Sequence, residues 1–96
     1  MTADNNMPTK MIKGYKDFIS TAGERLTSKP TPILVGVTLK VRTLSGDYIA
    51  IGDEEEQPFR LTTEGQAFVI DFVNDLSKVV VVAESGTANC IEWFGG

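Results

Sequence analysis

From Thr9 onward the chain sets apolar residues three and four apart. Met11, Ile12, Tyr15, Phe18, Ile19, Ala22 and Leu26 recur at that spacing, with Lys10, Lys13, Lys16, Asp17 and Glu24 between them. The spacing predicts an amphipathic helix over about residues 10–27. Gly14 and Gly23 each cost a helix about 1 kcal/mol relative to Ala, so this one needs a surface to pack on. Pro30 and Pro32 bias their neighbours toward extended backbone and end it. The preceding stretch, MTADNNMPT, is polar and without period, and reads as a mobile terminus.

From Ile33 the period changes to two. Ile33, Val35, Val37, Leu39 and Val41 alternate with Thr38, Lys40 and Arg42, as in a half-buried strand. YIAIG and FRLT read as further strands, separated by the solvated loop DEEEQP. TTEGQAFVIDFVNDLS supports two periods. As a helix over 64–76 it has an N-cap in Thr63 and a capping box closed by Gln66, but an apolar arc too wide for a surface helix. As a strand it is rich in β-branched and aromatic residues, with Phe68, Ile70 and Phe72 on one face, and this reading is preferred. Turn signals then fall near Gly46, Glu54, Gly65, Asn74 and Gly86. Short strands at such regular spacing predict an antiparallel β-sandwich or barrel of about six strands. KVVVVAE reads as a strand buried on both faces. ESGTA, with Gly86 supplying a positive φ, reads as the turn of a closing hairpin whose return strand carries Cys90, Trp93 and Phe94. The expected organisation is an arm over 1–32 and a mainly β body over 33–96.

Charge divides along the same line. Residues 1–30 hold five bases (Lys10, Lys13, Lys16, Arg25, Lys29) and three acids, a balance of +2, whereas residues 31–96 hold four bases and ten acids, a balance of −6. An acidic body disfavours nucleic acid, and the five bases are the candidate partner-binding set, directed at an acidic protein surface that includes a neighbouring copy. No stretch is long and apolar enough to cross a membrane, and no signal peptide is apparent. The chain is expected to be made in a cytoplasm.

Candidate chemistry is sparse. Without histidine, Ser-His and Cys-His pairs cannot form, and the single Cys90 makes neither an internal disulfide nor a zinc site. Asp53–Glu56 matches no calcium-loop spacing, and Asp71 with Asp75 reads as solvated rather than as an acid–base pair. No enzyme activity, cofactor or metal is expected. The singled-out residues are therefore structural: turn glycines Gly46, Gly52, Gly65 and Gly86, and core or interface aromatics Phe68, Phe72, Trp93 and Phe94.

Four stretches carry a resemblance: YIAIGD at 48–53, FRLTTEGQ at 59–66, IDFVNDLSKVVVVA at 70–83 and SGTANCIEWFGG at 85–96. In this order they resemble small β-sandwich virion proteins of tailed bacteriophages, which decorate or cement the head or build the neck and tail. Gly52-Asp53, Leu61, Gly65, Leu76-Ser77, Ala83 and Trp93 stand at matching positions, with Gln66 in place of an acid. The resemblance spans residues 33–96 and leaves 1–32 unmatched. It implies a non-enzymatic capsid decoration or cement protein, located in the virion and docked on the major capsid protein through its N-terminal arm. A homo-oligomer, a trimer by the local symmetry of a capsid, is implied with it. Neck or tail placement is the alternative. Two other classes remain open: a small acidic inhibitor of a host protein, and a ubiquitin-like carrier using Gly95-Gly96. The carrier requires a helix at 64–76 and a free tail.

Overall fold

The computed structural model describes residues 11–96, and there the two-residue period prevails from the start. Eight strands form: β1 (Ile12–Lys16), β2 (Glu24–Arg25), β3 (Val37–Thr43), β4 (Ile49–Gly52), β5 (Phe59–Leu61), β6 (Ala67–Ile70), β7 (Val80–Ala83) and β8 (Cys90–Gly95). They make two four-stranded antiparallel sheets, ordered β1-β8-β3-β6 (sheet A) and β2-β7-β4-β5 (sheet B). Leu39, Val41 and Ile91 from sheet A meet Ile49, Ile51, Leu61 and Val81 from sheet B in one core between the sheets. The fold is the expected mainly β one, with more strands than expected.

The expected helix is not formed. Ile12–Lys16 instead pairs along all of β8, from Ile12 with Gly95 to Lys16 with Ile91. Gly14, a liability in a helix, suits this strand: a Cβ there would stand 2.8 Å from the Trp93 ring, so only glycine lets the indole lie under β1. Gly23 takes a φ of +86°, which no helix accommodates. Because β1 and β2 are paired into both sheets, the boundary expected near residue 32 has no counterpart in the strand pairing.

The expected closing hairpin is also replaced. β7 pairs with β2 and β4 in sheet B, whereas β8 pairs with β1 and β3 in sheet A, so residues 84–89 form a corner between sheets. The turn at 44–48 likewise links β3 in sheet A to β4 in sheet B. Asn89, fully buried, ties these corners together. Its Oδ1 accepts from the N–H of Ser45 (2.9 Å) and of Gly46 (3.3 Å), its Nδ2 donates to the Ser85 carbonyl (2.8 Å), and its own carbonyl accepts from Ile19 N–H (3.1 Å). On the other side, Asp75 accepts from Thr31 N–H, Ser77 N–H and the Ser77 hydroxyl, holding the 3-10 turn Leu76–Lys78 against the segment before β3.

Candidate interaction surface

The core is aliphatic. Its one aromatic is Trp93, while Phe18, Phe59, Phe72 and Phe94 are exposed and Phe68 is only half-buried. Phenylalanine is ordinarily among the most buried side chains, so a surface that displays four of five departs from the usual distribution.

Strand register shows how several of them come together. On the outer face of sheet A, Lys13, Phe94, Thr38 and Val69 form one row across β1, β8, β3 and β6. Beyond that row the sheet ends in bare backbone. Gly96 N–H donates to the Gly36 carbonyl (2.9 Å), and the Gly96 carbonyl accepts from Leu34 N–H (2.8 Å) and Val35 N–H (3.1 Å). Those bonds hold the exposed Leu34 and Val35 at the same end of the sandwich. Asp71 packs against Gly36, so Phe72, 72% exposed, follows at that end too. Met11, next to the β1 residue that pairs with Gly95, is also exposed. The result is an apolar end built from loop and strand termini.

A cleft of about 610 Å³ opens from this end along the side where the free edges of β5 and β6 face each other. Its lining is largely apolar: Ile51, Phe59, Phe68, Ile70, Phe72 and Val79, with Asp53, Glu56 and Lys78 also on its wall. Phe59 and Phe68 meet edge to face with centroids 4.8 Å apart and close one wall. The rest of the outer face of sheet A is charged: Lys40 stands 4.0 Å from Glu92, and the Arg42 guanidinium lies 5.3 Å over the Tyr15 ring.

The five bases singled out from sequence do not share one surface. Lys10 lies outside the described residues. Lys13 is on the outer face of sheet A, Lys16 pairs with Glu24 at 2.9 Å, Arg25 pairs with Glu54 at 2.6 Å across the outside of sheet B, and Lys29 is exposed in the loop before Pro30. The turn glycines fall in turns or at strand ends. Gly65 and Gly86 have φ near +88° (+87° and +89°), while Gly46 and Gly52 press against the backbones of Ser85 and Glu56. Of the aromatics, Trp93 is core, Phe68 lines the cleft, and Phe72 and Phe94 are surface residues. Phe72 lies beyond β6, so it does not share an inner face with Phe68 and Ile70 as expected.

Asn89 and the exposed pair Leu34-Val35 were not legible as special. An asparagine before a strand has the ordinary look of a turn residue, and Val35 fits the alternation of the strand it precedes.

Three of the polar groups considered for chemistry, Cys90, Asp75 and Asp53, are held by burial or by backbone donors. Burial, then a hydrogen bond and the charge of Asp17, push the Cys90 thiol up to about 11, so it stays protonated at neutral pH. The N–H groups of Thr31 and Ser77 hold the Asp75 carboxyl below its ordinary value. Asp53 is lowered by the N–H groups of Glu56 and Glu55, which it caps at 2.9 Å each. Among the described residues no three His, Cys, Asp or Glu side chains gather as a metal site would require. Neither condition of the carrier reading is met: residues 64–76 contain β6, not a helix, and Gly95 and Gly96 are bonded into sheet A.

No family model, curated protein or solved structure matches the chain.

Proposed function

We propose that the chain is a non-enzymatic structural protein that works by docking on other protein surfaces, as a capsid decoration or cement protein of a tailed bacteriophage does. The observation that carries the reading is the separation of an aliphatic core from a surface bearing Phe59, Phe72 and Phe94 together with Leu34 and Val35. Exposed apolar groups of this size gain about 25 cal/mol for each Å² removed from water, and a partner can remove it where the fold does not. The backbone around Leu34 and Val35 is tied by Asp75 through Thr31 and by the Gly96 carbonyl, so docking orders few additional residues and loses little entropy. On a repeating shell many such weak contacts act together, which is how a small protein clamps a lattice. Docking through the apolar end replaces the N-terminal arm in this account, because Lys16 and Arg25 are already paired within the fold.

The test is re-addition of purified chain to particles lacking it, followed by co-sedimentation. Leu34→Ser with Phe72→Ser should leave the thermal midpoint nearly unchanged and lower binding at least about tenfold, the equivalent of about 1.4 kcal/mol. Binding equal to that of the unsubstituted chain would reject the apolar end as the docking surface.

A further inference from the structure

Two oppositely charged surfaces lie on opposite sides of the sandwich. The outer face of sheet A carries Lys13, Lys40 and Arg42 against Glu92, a balance of +2. It forms a shallow trough lined also by Tyr15 and Phe94. The β4–β5 turn, Asp53–Glu56, carries four acids. It leans across the outside of sheet B, where Glu54 meets Arg25 and Lys78 stands beside the turn, leaving a balance of −2. This turn is pre-shaped: Asp53 N–H donates to the Glu56 carbonyl (3.0 Å), the Asp53 carboxylate accepts from Glu55 and Glu56, and Gln57 Nε2 donates to the Asp53 carbonyl (2.6 Å). Glu55 and Glu56 are exposed and make no ion pair among the described residues.

Because the core separates the two sheets, the turn cannot reach the trough of its own molecule. We propose that the trough on sheet A receives the Asp53–Glu56 turn of a second copy, head to tail. The contact is heterologous: each copy presents one surface and accepts the other, so copies close into a ring or extend, and a two-fold dimer is not formed. Attraction comes from the charges and from Tyr15 beside them, and the rigid turn loses little freedom on docking. The inference deepens the homo-oligomeric part of the proposed function and rests on it, but it is tested on the isolated chain. Its failure leaves particle binding untouched.

The experiment is sedimentation analysis of the full chain up to about 500 µM, at about 20 mM and about 500 mM salt, conditions in which the screening length falls from about 20 Å to about 4 Å. The average mass should rise above the monomer at low salt and return to it at high salt. Lys40→Glu with Arg42→Glu, and separately Glu55→Lys with Glu56→Lys, should each be monomeric while keeping the circular dichroism and melting midpoint of the unsubstituted chain. An equimolar mixture of the two variants should associate again, since the reversed trough then faces a reversed turn. A chain that stays monomeric at low salt, an association indifferent to salt or to both reversals, or a mixture that stays monomeric overturns the proposal.

Discussion

Asn89→Ala removes the one fully buried polar side chain identified in the fold. Two backbone donors, Ser45 N–H and Gly46 N–H, and one acceptor, the Ser85 carbonyl, lose their partner together. An unsatisfied buried group costs about 1–3 kcal/mol. Ser45 and Ser85 lie near solvent, so water recovers part of this, and the expected loss is about 3 kcal/mol. For a chain of this size that lowers the melting midpoint by about 12–24 °C. Thermal unfolding followed by circular dichroism reads it directly.

Asn89→Asp sharpens the test. It keeps an acceptor for Ser45 and Gly46 but turns a second carboxylate oxygen toward the Ser85 carbonyl, which favours the protonated acid in the folded state. The folded pKa then lies above the unfolded value of about 3.9, and the folded chain holds more protons through that window. The variant should be nearest to the unsubstituted protein in acid and lose stability as pH rises through the window. A loss below about 1 kcal/mol for Asn89→Ala, or a pH-independent deficit for Asn89→Asp, would refute the role given to this residue.

Acid should destabilise the unsubstituted protein in the opposite sense. Asp75, Asp53 and Glu84 are all held below their ordinary values (3.8 for Asp, 4.5 for Glu), so their contribution is full above those values and is lost as pH falls through the lower folded ones. Asp75→Asn should flatten part of that fall in a pH series of melting curves. Cys90 should resist a thiol reagent at neutral pH in the folded protein and react fully once unfolded, which a colorimetric thiol assay shows; rapid native reaction would contradict its burial and raised pKa. Gly14→Ala should cost about 1–3 kcal/mol by overpacking the Trp93 ring, with a shift in the emission of this single tryptophan, and an unchanged spectrum and midpoint would contradict the close approach.

The alternation over Val37–Val41 was legible because one face of β3 is buried and the other is not, which writes a two-residue period directly into the chain. The start of the chain misled because β1 spans only five residues and the apolar residues after it sit in loops. Phe18 has a φ of +53° and is exposed, Ile19 is buried, and their spacing imitates a helix without forming one. The corners misled for a different reason. Ser-Gly turns look alike whether the chain returns within a sheet or crosses to the other, and what decides here is Asn89, more than forty residues from Ser45 and Gly46. The interaction surface was partly legible: Phe94 and Phe72 stood out as aromatics, but assigning them to the surface required knowing that β6 stops at Ile70 and that Phe94 lies on the outer face of β8. The charges were legible as a division along the chain, whereas the fold divides them between sheets, with Lys40 and Arg42 joining Lys13 on one face.

The central claim is that this sandwich is a building part of a particle. Its most direct test is the copy number of the chain, by quantitative mass spectrometry, in density-purified particles from cultures that express it. The account predicts copies comparable with the major capsid subunit, whereas a few per particle would place it in the neck or tail. Absence from particles, with the chain abundant in the same culture, would contradict the account.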